Sequence, residues 1–231
     1  MKERAKIVAV MTVVLLLSVL AVIADPLGTD LTYVNSSRRT AQSPQTQDAQ
    51  AGNVTRLDIN QTKITDVWQG FYGNISGSIT LDDAGNHTFY DWSMTAITGE
   101  VYATRETVAD WATINCSNST YMDNEHSGLG ITGTWADSIN NTYTSTSHDA
   151  FSVGNRPMAS CPSTQAYDST GAGAFWNVML AVYATGNPVY TTIINEDNDG
   201  FDGYNWDFEL LVPTNYTNGG TATYYFYVEL N

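Results

Sequence analysis

Charged residues are scarce in this chain of 231 residues, and basic residues are the scarcest of them. Only 14% of the residues are charged, and nine lysines and arginines stand against 24 aspartates and glutamates. The formal charge of −15 repels phosphate backbones, which excludes nucleic-acid binding. It also repels anionic lipid and suits a salty medium or a cation-binding exterior.

Signatures of catalysis are missing as well. The three histidines, His87, His126 and His148, are far apart in polar, turn-like sequence, where we expect exposed loops. None of the motifs H-E-x-x-H, G-x-S-x-G and C-x-x-C occurs. We therefore expect no enzymatic activity and no catalytic residue. A secreted hydrolase is the weakest alternative, because acidic residues occur throughout and no glycosidase-like carboxylate pair stands out.

Long apolar runs are absent except at the N-terminus. There, three basic residues precede an apolar run over residues 7–24, and Pro26 follows it. This pattern predicts a secretory signal peptide at residues 1–24 and a cell-surface or extracellular location. The alternative is an uncleaved membrane anchor, because about eighteen apolar residues just reach the length of a span. Cleavage after Ala24 would leave six basic and 23 acidic residues, a formal charge of −17.

Only two cysteines occur, Cys116 and Cys161, and both lie in the exported part. An even count in an oxidising compartment predicts one disulfide. It would close a loop of about 46 residues and contribute about 4 kcal/mol on the chain-entropy estimate. Because Asn, Ser and Thr dominate the segment between them, we predict a loop-rich insertion pinned by the disulfide. The alternative is two separate buried thiols.

Helix formers are also scarce, whereas Thr, Ser, Asn, Gly and aromatic residues are plentiful. After residue 52, short alternating runs recur at intervals of about ten residues, with Gly, Asn and Asp between them. This pattern predicts an all-β fold over residues 53–231, an immunoglobulin-like or jelly-roll-type β-sandwich. One short helix is expected within residues 106–114. The predicted strands include residues 64–73, 74–81, 87–94, 99–104, 131–135, 175–185, 189–194, 206–212 and 221–230.

Residues 25–52 form a separate N-terminal part. Within it only residues 30–35 look like a strand, and residues 36–52 have the composition of a flexible linker. The isolated strand could fold back onto its own domain. It could equally add to the sheet of a neighbouring subunit.

Acceptor sequons for N-linked glycans, N-x-[ST], are the densest motif in the chain. In an exported protein each is a candidate surface glycan. The alternative is a surface rich in Thr and Asn that carries no glycan. The sequons stand at Asn35, Asn53, Asn60, Asn74, Asn86, Asn115, Asn118, Asn140 and Asn215.

An acidic stretch at residues 195–209 is the best candidate for a metal site. Asn195, Asp197 and Asp199 occupy alternate positions before Gly200, which matches the opening of a calcium loop, and Asp202 adds another carboxylate. No Glu stands at the twelfth position and strands are predicted on both sides, so an EF-hand is excluded. We predict a Ca²⁺-binding turn that uses these four residues. The alternative is a solvated acidic turn.

Two segments give the chain a resemblance to other proteins. Residues 68–77 read W-Q-G-F-Y-G-N-I-S-G, and G-F-D-G at residues 200–203 precedes D-F-E-L-L-V-P. With the aromatic strand at residues 223–230, they resemble an uncharacterised group of exported archaeal cell-surface β-rich proteins. The resemblance covers most of residues 53–231. It implies an archaeal surface setting in which sequons carry glycans, and it implies no activity.

Together these features lead us to expect a non-enzymatic structural protein, a glycosylated subunit of an envelope layer or extracellular filament. Its expected partners are other copies of itself or other envelope proteins, with β-strand addition as one route of assembly. The alternative is a secreted carbohydrate-binding module that depends on calcium, because exposed Trp and Tyr side chains can stack on sugars. Membrane contact is expected only through an uncleaved leader.

Overall fold

The computed structural model describes residues 25–94 and 96–231, and the predicted signal peptide at residues 1–24 lies outside them. This part of the chain is mostly β, with two short helices, α1 (Ser119–Leu129) and α2 (Ile139–Thr142). None of the helices described is long and apolar enough to cross a membrane. The strands are β1 (Leu27–Gly28), β2 (Trp68–Gly73), β3 (Ser78–Asp82), β4 (Thr88–Ser93), β5 (Gly99–Thr104), β6 (Ile114–Cys116), β7 (Phe151–Val153), β8 (Arg156–Met158), β9 (Ser163–Tyr167), β10 (Gly173–Val182), β11 (Pro188–Ile193), β12 (Asn198–Asp199), β13 (Asn205–Trp206), β14 (Phe208–Pro213) and β15 (Tyr225–Leu230).

Seven of these strands form one antiparallel sheet. Its order is β1-β15-β5-β11-β10-β6, and β9 also pairs with β10. β10 has three partners because β6 pairs with residues 180–182 and β9 with residues 173–178, while β11 pairs along residues 177–181. The remaining pairs are β2–β14, β3–β4, β7–β8 and β12–β13.

Side chains along the large sheet alternate between two cores, as the two-residue period of a strand requires. Val101 and Ala103 point into the first core, which the β2–β14 pair and α1 cover, while Tyr102 points into the second. The β7–β8 hairpin and Trp111 cover the second core. The predicted all-β class is therefore confirmed, and packed antiparallel sheets are compatible with a β-sandwich.

The short helix is present, but in a different segment from the one predicted. Residues 106–114 hold only a 3₁₀ turn at Trp111–Thr113, and the longest helix is α1. The side chain of Asn118 caps α1 by accepting a hydrogen bond from the Tyr121 N–H, and Gly130 ends the helix in the left-handed conformation (φ 68°). The buried positions of α1 have helical spacing, but two of them hold Glu125 and His126, so hydrophobic periodicity alone does not reveal this helix.

The predicted disulfide is confirmed. Cys116 lies at the end of β6 and Cys161 lies just before β9, with their Cα atoms 4.9 Å apart. The segment between them is more ordered than a loop-rich insertion, because it contains both helices and the β7–β8 hairpin. The strand predicted at residues 131–135 is wrong, since those residues form turns that lead into α2.

The strand predicted at residues 30–35 is also wrong. The first paired strand is instead β1, where Leu27 opposes Val228 and Gly28 opposes Tyr227 of β15. From there, residues 29–66 form no strand, and residues 30–63 are exposed throughout. We call residues 29–66 the arm.

Candidate functional site

The four residues predicted to bind calcium lie in one loop, but each forms a hydrogen bond with a different partner. No set of three or more His, Cys, Asp or Glu side chains in the described ranges is placed to hold a metal. The Ca²⁺ site therefore stays a prediction. The Asn195 amide donates to the Ala174 carbonyl (3.2 Å), the Asp197 N–H donates to the Asp207 carboxylate (3.0 Å), Asp199 accepts from the Ser169 hydroxyl (2.7 Å), and Asp202 accepts from the Trp206 indole (2.9 Å).

Asp207 organises the base of this loop, although the sequence did not single it out. Its buried carboxylate accepts hydrogen bonds from the backbone N–H groups of Ile75 (2.7 Å) and Asp197 (3.0 Å). Because Asp197 has a positive φ of 53°, this bond holds a strained residue in place. At Gly200, a Cβ atom would overlap the Trp206 ring. The glycine is therefore required by packing.

The buried carboxylate of Glu209 lies close to the other carboxylates of the loop. It accepts a hydrogen bond from the Phe201 N–H (2.9 Å). Burial raises the pKa of Glu209, the Phe201 hydrogen bond lowers it, and the charges of Asp202, Asp168 and Asp199 raise it. Several carboxylates are therefore close enough to repel one another here, and a bound cation would offset that repulsion.

Exposed aromatic rings lie beside the acidic loop. Tyr72 makes edge contacts with both Phe201 (ring centroids 4.9 Å apart) and Trp206 (5.0 Å). Tyr72, Phe201 and Tyr204 are exposed. The aromatic residues at 68–72 lie in two environments, because Trp68 and Phe71 pack against the first core while Tyr72 is exposed.

A second acidic feature is buried in the large sheet. Glu100 of β5 lies directly opposite Glu229 of β15, and each side chain is only 3% exposed. The Tyr102 hydroxyl donates to Glu229 (3.0 Å) and lies 3.5 Å from Glu100, while the Gly154 N–H donates to Glu229. Burial and the Glu229 charge raise the pKa of Glu100 to about 8, although the Tyr102 hydrogen bond lowers it. The pair is a structural element of the sheet.

Two of the three histidines are buried, which corrects the expectation of exposed loop histidines. The His126 ring accepts a hydrogen bond from the Ile139 N–H (2.9 Å), and the His148 ring accepts one from the Cys161 N–H (2.9 Å). Both rings therefore satisfy buried backbone groups in the disulfide-closed segment. Only His87 is exposed, and it bonds to Asp83.

The arm and the β3–β4 hairpin carry most of the large apolar side chains that are exposed in the described part of the chain. Both strands of the hairpin are exposed along their whole length. Within the described part of the chain, they pair only with each other. The exposed large apolar residues of these two segments are Leu31, Tyr33, Val34, Val54, Leu57, Ile59, Ile79, Leu81, Phe89, Tyr90 and Trp92. On the hairpin, Ile79, Leu81, Tyr90 and Trp92 lie side by side, and such an exposed apolar patch indicates an interaction site.

Six of the nine sequon asparagines are exposed, and three are partly buried. Of the partly buried ones, Asn115 accepts a hydrogen bond from Arg156 and Asn140 donates one to Asp123. Three of the exposed ones fall in the arm and one, Asn86, lies in the turn of the hairpin. The exposed asparagines are Asn35, Asn53, Asn60, Asn74, Asn86 and Asn118.

No family model matches this chain, and no curated protein or solved structure matches it either.

Proposed function

We propose that this protein is a non-enzymatic structural protein of an archaeal cell surface, exported and glycosylated, which self-associates in an envelope layer or an extracellular filament. The observation that carries the proposal is the exposed arm with its six large apolar side chains. An extended segment with apolar residues and free backbone groups is suited to β-strand addition. The exposed sequons agree with a coated exterior.

Removing residues 25–63 should abolish self-association and leave a folded monomer. The arm buries almost none of its apolar side chains in its own chain, and β1 contributes only two paired residues. We would compare natively purified protein with the shortened chain by sedimentation velocity and electron microscopy. Matching circular dichroism would show that the shortened chain is folded. Assemblies that persist without residues 25–63 would contradict assembly through the arm.

A second function, calcium-dependent carbohydrate binding, is favoured by the exposed aromatic rings beside the acidic loop. Tyr72, Phe201 and Tyr204 could stack on a sugar ring while a cation held by the carboxylates bound its hydroxyl groups. This function would not require the arm.

For this second function we expect calcium to raise the melting temperature. At a hundredfold excess over Kd, a bound ion stabilises the folded state by about 2.7 kcal/mol. The measurement is thermal unfolding with calcium and with chelator, on the unsubstituted chain and on Asp199→Asn/Asp202→Asn. Asp48→Asn, a change in the arm, is the control and should keep the shift. No shift in the unsubstituted chain, together with an empty glycan array, would remove this candidate.

A further inference from the structure

The β3–β4 hairpin carries an apolar face that nothing in the described chain covers. Ile79 opposes Trp92, and Leu81 opposes Tyr90, so the four side chains lie on the same face. They are between 48% and 59% exposed. The opposite face carries small or polar residues such as Thr80 and Asp91.

The hairpin is nevertheless fixed at both ends. At its tip, the Asp83 carboxylate accepts hydrogen bonds from the backbone N–H groups of Gly85 (2.8 Å) and His87 (2.9 Å). At its base, the backbone at Gly77 packs so closely against Leu230 that a Cβ atom would overlap it. A two-stranded hairpin is marginally stable by itself, whereas three strands with an apolar face are stable. A third strand paired with the hairpin would therefore stabilise it.

The outer edge of β3 is the more suitable place for that strand. β4 contains a bulge, because Phe89 lies between the residues that oppose Leu81 and Asp82. A bulge disrupts regular pairing at an edge. β3 has no extra residue, so its free N–H and C=O groups can continue the ladder.

Residues 55–59 of the arm alternate as this edge requires, whereas Val54 falls on the opposite face. Leu57 and Ile59 are 57% and 89% exposed and alternate with Arg56 and Asp58. In the described structure these residues form no strand. Sequons at Asn53 and Asn60 flank the segment, and none falls within it. Glycans there would border an added strand and leave its pairing residues free.

Charge favours an arm over any other part of a second copy. Residues 67–231 hold two basic and eighteen acidic residues, a formal charge of −16, whereas the arm holds four of each and is neutral. The two arginines of residues 67–231 are both engaged, Arg105 with Glu125 and Arg156 with Ala112 and Asn115. Two acidic bodies repel each other, but a neutral arm meets no such repulsion. The hairpin itself holds three aspartates and no lysine or arginine. Arg56 and Asp58 pair with each other in the arm (3.1 Å), so residues 54–59 bring no net charge to this acidic edge.

We propose that residues 54–59 of one copy add as a third strand to the β3 edge of the hairpin in a second copy. Leu57 and Ile59 then extend the apolar face of Ile79 and Leu81. The inference rests on the proposed self-association. It identifies residues 54–59 as the donor segment and the β3 edge as the acceptor. Because each copy carries one donor and one acceptor, the contact is head-to-tail and can continue into a filament.

The test uses two double variants and a matched control. The donor variant is Leu57→Asn/Ile59→Asn, the acceptor variant is Ile79→Asn/Leu81→Asn, and the control is Leu31→Asn/Tyr33→Asn, which changes equally exposed apolar residues elsewhere in the arm. All six side chains are exposed, so each variant should keep the unsubstituted circular dichroism. Donor and acceptor variants should each self-associate about a hundredfold more weakly, as measured by sedimentation velocity, because two apolar contacts are lost. The control should assemble like the unsubstituted chain.

Mixing the two variants makes the test specific. The donor variant keeps its hairpin and the acceptor variant keeps its arm, so an equimolar mixture should form one-to-one dimers that grow no further. If hairpins instead stacked on one another, the donor variant, whose hairpin is intact, would assemble by itself like the unsubstituted chain. Donor and acceptor variants that assemble like the unsubstituted chain would overturn this inference and leave the proposed function standing. An unsubstituted chain that stays monomeric would overturn both.

Discussion

Replacing Glu100 by glutamine is expected to make the protein more stable at pH 8 and to remove much of its loss of stability between about pH 4.5 and pH 8. Burial, followed by the charge of Glu229, raises the pKa of Glu100 from 4.5 to about 8, and the Tyr102 hydrogen bond opposes this. Burial also raises the pKa of Glu229, and the charge of Asp25 adds to that rise. The folded sheet therefore holds Glu100 in its neutral form over this range.

The direction of the pH effect follows from proton uptake. Below about pH 4.5 the carboxyl group is protonated in both states, so its stabilising contribution is fully present. As the pH rises towards 8, the unfolded chain is ionised while the folded chain still holds the proton. The free energy of unfolding then falls by about 1.4 kcal/mol per pH unit. Above pH 8 both states are ionised and the fall ends. A glutamine has no proton to lose and shows no such slope.

Urea unfolding at pH 5 and pH 8 measures this effect. Glu100→Gln should lose much less stability between the two pH values than the unsubstituted chain does. Glu196→Gln is the matched control, because Glu196 is exposed and lies outside the large sheet. It should keep the full slope. An equal slope in all three proteins would show that the Glu100 carboxyl does not control the pH dependence.

Local chemistry made the hairpin and the disulfide predictable from the sequence. Residues 74–81 alternate with period two, and D-D-A-G-N supplies the turn, so the β3–β4 pair needed no long-range information. The cysteine count, in a chain predicted to be exported, was sufficient for the pairing of Cys116 with Cys161. The hairpin depends only on residues close together in the sequence, and two cysteines allow only one pairing.

The buried polar groups could not be predicted in the same way. Glu100 and Glu229 are 129 positions apart and meet only because β15 lies beside β5, an order that no alternating pattern specifies. His126 and His148 stand in polar sequence, yet both accept buried backbone hydrogen bonds. The base of the acidic loop also depends on a long-range contact. The Asp207 carboxylate there accepts a hydrogen bond from the N–H of Ile75, which lies far away in the chain, between β2 and β3. Tertiary contacts, and not residue type, define these positions.

Reducing the Cys116–Cys161 disulfide is expected to lower the free energy of unfolding by about 4 kcal/mol, through the unfolded state. The bond closes a loop with a sequence separation of 45 residues, and opening it lets the unfolded chain explore many more conformations. The folded segment should keep its structure, because α1 and the β7–β8 hairpin pack into the two cores. The measurement is urea unfolding of oxidised and reduced protein.

The slope of the urea transition distinguishes an effect on the unfolded chain from damage to the folded one. A cross-linked unfolded chain is more compact, so reduction should raise the m-value while circular dichroism of the folded state stays unchanged. Cys116→Ala/Cys161→Ala should unfold like the reduced protein, and it should not respond to reductant, which controls for the reagent. A loss of less than about 1 kcal/mol would mean that the segment between the cysteines stays structured when the rest unfolds, so that the bond restricts little. Protease cleavage within residues 117–160 of the reduced, folded protein would instead place the effect in the native state.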